Sequence, residues 1–133
     1  MGTSTVDYTL ADYRGSGAKR PIWMATIDQM SWIDDNTDTI SSTVPINGII
    51  KRIKATYSAG DGDPDLTLLI TDLDGNTIST TGAKDDNQTV IWDADGTDFS
   101  ENQLAFFDGF IVSVTSEDPG ASGVTADVEI IGI

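Results

Sequence analysis

The chain has 133 residues, 38% of them hydrophobic, which suits one domain built on a single core. Its 22 acidic and 7 basic residues leave a formal net charge of -15, a surface that repels phosphate and argues against direct nucleic-acid binding. With no Cys and no His, disulfides, thiolate metal sites, the commonest metal ligand and the commonest general base are all excluded.

The opening residues, Met1 to Val6, lack the basic segment and apolar run of a secretory signal, and Val6 stands where a myristoylation signal needs Ser or Thr. No apolar run approaches the length of a membrane span, so a soluble chain without membrane contact is expected. The charge is unevenly placed: residues 1–54 carry six acids and six bases, whereas residues 55–133 carry sixteen acids against Lys84 alone. For any one carboxylate the plain reading is a solubilising surface.

In chain order, residues 1–21 hold few apolar side chains and include Arg14, Gly15, Gly17, Lys19 and Arg20 before Pro21. They read as an extended N-terminal arm, leaving residues 22–133 as the folded domain. Residues 22–33 fit two periods. Trp23, Ile27 and Met30 would share a helical face, and Trp23, Ala25 and Ile27 a strand face; the strand-like remainder of the chain favours the strand. Residues 34–43 are polar and read as a loop, with Ile40 the one large apolar residue.

Asn47-Gly48 is a turn signal leading into a long strand, residues 49–57, with Ile49, Ile53, Ala55 and Tyr57 on one face. Lys51 falls on that same face, which calls for either a sheet end or a β-bulge. Leu66, Leu68 and Ile70 alternate with Thr67, Leu69 and Thr71, and Asp74-Gly75 closes a hairpin onto residues 76–80. A short strand follows at residues 89–92. Ser100 and Gln103 have capping-box spacing, which predicts a helical turn near Leu104. Phe110, Val112 and Val114, then Val124, Ala126, Val128 and Ile130, alternate on either side of a turn-forming run at 117–123 and read as one antiparallel hairpin with a buried face. The expected fold is all-β: an antiparallel β-sandwich, jelly-roll or Ig-like, of about seven or eight strands with an N-terminal arm.

Asp61, Asp63 and Asp65 begin like a calcium loop, but Leu66 occupies the place of the required Gly and Asp72 that of the closing Glu. A calcium site of another kind between loops at one end of the sandwich stays open as an alternative, but Asp-Gly turns are ordinary hairpin chemistry and no metal ligand is assigned. A carboxylate pair such as Asp93 with Glu101 has several equivalents among the acidic loops, and Ser, Lys51 and Lys84 sit in no nucleophile motif. No catalytic residue and no cofactor is expected. Trp23, Trp32 and Trp92 fit a sugar-stacking platform less well than they fit core or interface aromatics.

From Trp32 onward the order of features resembles a group of small proteins encoded among the head genes of tailed bacteriophages. The matching stretches are Trp32-Ile33-Asp34-Asp35, residues 41–48 with Pro45 and Asn47-Gly48, residues 66–75, and residues 118–123 before a last alternating strand. The resemblance implies a virion decoration or cement protein: an all-β module on the outer capsid surface that binds the major capsid protein and neighbouring copies of itself, with a trimer as the implied assembly. A neck, tail or fibre component, or a carbohydrate-binding module, would use the same sandwich. The expected partner-facing residues are Tyr8, Tyr13, Arg14, Lys19, Arg20 and Trp23, in which the arm's bases and tyrosines supply charge and apolar surface.

Overall fold

Two antiparallel sheets pack face to face in the computed structural model, which describes residues 8–13, 22–33, 36–93 and 105–133. The strands are β1 (Tyr8–Tyr13), β2 (Ile22–Trp32), β3 (Asp38–Val44), β4 (Gly48–Tyr57), β5 (Asp65–Thr71), β6 (Thr77–Asp85), β7 (Gln88–Asp93), β8 (Ala105–Phe106), β9 (Phe110–Ser116) and β10 (Val124–Gly132). One sheet has the order β1-β2-β10-β4-β7, with the short β8 also on β4; the other has the order β3-β9-β5-β6. In the eight strands from β2 to β10 without β8, only β5 and β6 follow one another within a sheet. Every other step crosses between sheets, which is the winding of a jelly roll rather than an Ig-like sandwich. The strand count exceeds the expected one through β1, β8 and the polar stretch that forms β3.

Six residues of the expected arm form β1, which pairs along the whole of the first half of β2, from Tyr8 opposite Ile27 to Tyr13 opposite Ile22. Residues 1–7 and 14–21 lie outside the described residues, as does the predicted helical turn at residues 100–104.

The two C-terminal strands do not form a hairpin, contrary to the sequence expectation. β9 lies between β3 and β5 in one sheet, and β10 between β2 and β4 in the other. Their alternation fixes the buried faces correctly, since Phe110, Val112, Val114, Val124, Ala126, Val128 and Ile130 are all core residues. Residues 117–123 carry the chain across the roughly 10 Å between stacked sheets instead of reversing it within one. Gly123, at φ 72°, ends this crossing with its Cα against the Trp32 carbonyl, a conformation and a contact that a side chain would not allow.

Two bulges explain the ambiguous stretches. Between β10 and β2 the register passes from Ala126 opposite Met30 to Val128 opposite Ile27, so β2 carries one extra residue. That insertion is why Trp23, Ala25 and Ile27 and then Met30 and Trp32 are all buried, and why residues 23, 27 and 30 mimic helical spacing. In β4, Arg52 opposes Ile131 while Ile50 opposes Gly132, which leaves Lys51 as the extra residue. The bulge moves the core position from Ile49, as the alternation predicted, to Ile50; Ile49 is half-buried.

Candidate interaction surfaces

Of the six residues expected to face a partner, Tyr8 and Tyr13 fall in the edge strand β1, and Arg14, Lys19 and Arg20 lie outside the described residues. Trp23 is placed differently from that expectation. It is 8% exposed, lies over Gly132 and packs on Phe110 at a centroid distance of 6.1 Å, so in this fold it belongs to the core. Trp32 and Trp92 are buried as well, which removes the three-tryptophan sugar platform. The Trp32 indole N–H donates to the Asp38 carbonyl at 3.1 Å. Trp23 Nε1 and the Tyr57 hydroxyl are buried without a hydrogen-bond partner, and burial pushes the Tyr57 phenol up to about 12.

Carboxylates crowd one end of the sandwich, where the loops after β4, β6 and β9 meet. Asp61, Asp63, Asp65, Asp85, Asp86, Glu117 and Asp118 are all there, seven against Lys84. Several hold loops together: Asp86 Oδ2 accepts from the Gly60 amide at 2.6 Å, and Asp118 Oδ1 from the Gly120 amide at 2.9 Å. The Ser122 hydroxyl accepts from the Asp61 amide at 3.3 Å. Among the described residues, no group of three or more carboxylates is arranged to hold a metal ion.

Asp65 is held above the ordinary carboxylate range by desolvation first, then by the negative fields of Glu117, Asp85 and Asp86 and a side-chain hydrogen bond with Asp85. A carboxyl whose folded pKa is raised binds its proton more tightly in the folded state, so this group lowers stability as pH rises through that raised pKa. Asp65→Asn is therefore expected to raise the melting temperature at pH 7, with the gain vanishing near pH 3, where the carboxyl is already protonated. Thermal denaturation at both values checks this. Asp72 runs the other way: hydrogen bonds from the Asn76 side chain and amide hold it below its usual range, so its contribution is lost as pH falls.

The outer face of the sheet containing β4 mixes both signs of charge. Registered rows place Ile131, Arg52 and Asp93 side by side, then Glu129, Lys54 and Ile91, then Asp127, Thr56 and Thr89. Arg52 Nε and Asp93 Oδ1 form an ion pair at 2.6 Å, exposed on both sides and worth little to stability.

Phe107, 82% exposed, is the most solvent-facing large apolar residue among those described. It sits at the end of the sandwich opposite the seven carboxylates and lines an open depression with Leu73, Ile78, Asp72, Asp74 and Asp108. Asp108 at φ 66° and Gly109 at φ 124° form the turn that holds it outward, and Asn47 Oδ1 accepts a hydrogen bond from the Asp108 amide. Its neighbour Phe106 turns inward onto Phe110, centroids 4.9 Å apart. Sequence reasoning passed over Phe107. The available signal was Phe106-Phe107 before Asp108-Gly109, because adjacent residues of a strand cannot both face one core.

No protein-family model and no curated protein matches this sequence. Solved structures do resemble the fold. A family 61 carbohydrate-binding module in complex with β-1,4-galactotriose aligns over 98% of this chain and 86% of its own, at 11% identity and a TM-score of 0.45. A family 11 carbohydrate-binding module of a Clostridium thermocellum cellulase aligns over 100% and 87%, at 8% identity and a TM-score of 0.40. The VP2 subviral particle protein of infectious bursal disease virus aligns over 83% of this chain but 32% of its own, at 13% identity and a TM-score of 0.43. At these TM-scores the likeness carries no functional argument.

Proposed function

We propose that this chain is a virion structural protein of the capsid-decoration type, a non-enzymatic module that attaches to the outer surface of the head through the basic segment between Tyr13 and Ile22 and turns its carboxylate end to solvent. The observation that supports this orientation is the uneven density of charge along the sandwich: seven carboxylates against Lys84 gather at one end, and Asp72, Asp74 and Asp108 stand at the end where the basic segment leaves β1. Tyr13 and Ile22, which flank Arg14, Lys19 and Arg20, pair with each other at the end of the sheet where Trp23 opposes Gly132. The seven-carboxylate loops lie at the other end, where Val124 opposes Trp32 and Ala126 opposes Tyr57. A short basic segment between two anchored strands loses less entropy on docking than a free arm would, and many copies on a symmetric shell add avidity.

The test uses undecorated capsids from the source particle. The Arg14→Glu, Lys19→Glu, Arg20→Glu triple variant is expected to lose capsid co-sedimentation, and melting curves check that it remains folded. Deleting residues 1–20 is the poorer probe, because it removes β1 and leaves the edge of β2 unpaired. Undiminished capsid binding by the triple variant would sink this reading.

A further inference from the structure

We propose that the outer face of the β3-β9-β5-β6 sheet is a self-association surface on which a second copy of this chain packs. This stands independently of the virion role. Three registered rows, running through Thr115, Ser113 and Ile111 of β9, define twelve outward positions on the four strands. Seven are Thr and two are Ser, and the other three are Leu69, Ile111 and Ala83. Not one of the twelve is ionisable, in a chain that carries 22 acidic and 7 basic residues. The outer face of the opposite sheet, by contrast, has charged residues in each of its three central rows.

Five of the nine hydroxyl groups on this face have hydrogen-bond partners. Thr39 and Thr115 share a hydrogen bond at 2.7 Å, Ser41 and Ser113 one at 2.8 Å, and the Thr80 hydroxyl donates to the Leu68 carbonyl at 3.2 Å. Groups satisfied in this way can be covered without stranding a donor, and the neutral hydroxyls of Thr43, Thr67, Thr71 and Thr77 cost far less to desolvate than charges would.

Charge selects the occupant. Two chains of formal net charge -15 repel over most of their surface, and this sheet face lets them meet without setting carboxylates opposite one another. A basic partner would find its complement at the carboxylate end instead, where Asp65, Asp85 and Glu117 close off one side of the face. Four strands spaced about 4.8 Å apart and five residues at about 3.4 Å give a footprint on the order of 330 Å² in projection. That is below the roughly 800 Å² per partner of a standard interface, so the pairing is weak and suits a high local concentration.

Sedimentation equilibrium of the full chain, from about 10 μM to 1 mM in low and high salt, tests the proposal; the relevant screening length shortens from about 10 Å at 0.1 M to 3 Å at 1 M. The weight-average mass is expected to rise from 14.1 kDa toward that of a dimer, and to rise further in high salt, because salt screens the repulsion and weakens no attraction. Leu69→Glu, and Ser41→Glu at an exposed position, should each abolish the rise, while Thr56→Glu on the opposite sheet should leave it unchanged; melting curves confirm that each variant is folded. A mass of 14.1 kDa throughout would overturn the proposal, as would association that weakens with salt or that responds equally to Thr56→Glu.

Discussion

Val128→Asp is expected to unfold the protein, and Thr125→Asp, three residues away on the same strand, to leave it folded. Val128 is fully buried between Ile27 of β2 and Ala55 of β4, facing the other sheet. An aspartate there would put an unpaired carboxylate in the core at a cost of several kcal/mol, against a total domain stability of about 5–15 kcal/mol. Val112→Asp on β9 should behave alike from the opposite side of the core, between Ser42 and Ile70. Thr125 is half-buried on the outer face beside Ser31, where a carboxylate reaches water. Circular dichroism during heating distinguishes the variants. Similar losses for Thr125→Asp and Val128→Asp would mean that the register of β10 is wrong.

Gly132→Ala is expected to cost about 3 kcal/mol, the upper part of the range for overpacking a well-filled site. A Cβ at Gly132 would run into the Trp23 ring at Cζ2 and into the Ile49 carbonyl oxygen, and the second of these is backbone that cannot swing aside. The bulge at Lys51 brings this strand so close, because it draws Ile50 opposite Gly132 and closes the sheet end over the indole. For a chain of this length the loss corresponds to a fall of about 10 °C in melting temperature. Trp23→Phe shortens the ring, so the double variant should lose less than the sum of the two single losses, with the clash against Ile49 remaining. Strict additivity in thermal melts of the three variants would show that Trp23 does not lie over Gly132.

The two substitutions bear on how much the residues disclose unaided. Val128 was legible as a core position because it belongs to an alternation seven residues long, whereas the closeness of Gly132 to Trp23 joins chain segments that no local pattern connects. The same holds for the surfaces. Acidic residues could be counted loop by loop, but the crowding that raises the Asp65 pKa needs Glu117, 52 residues on, and Asp85 and Asp86 from a third loop. Phe107 could be named only once its turn was seen to hold it outward.

The sequence by itself determined that this is an all-β sandwich and, for most strands, which side chains are inside. Side-chain alternation is a property of a single strand, so it survives in the sequence wherever no residue is inserted. Only the tertiary structure decided which strands are neighbours. It set β9 and β10 in opposite sheets, made part of the supposed arm an edge strand, drew Trp23 into the core, and placed the bulges in β2 and β4 that shift the buried positions. The uncharged face of the second sheet arises in the same way, since its twelve positions come from four strands spread over residues 39–115. Strand partnership is settled by packing between distant segments and by whether a loop turns back or crosses the core, and a period of two records neither.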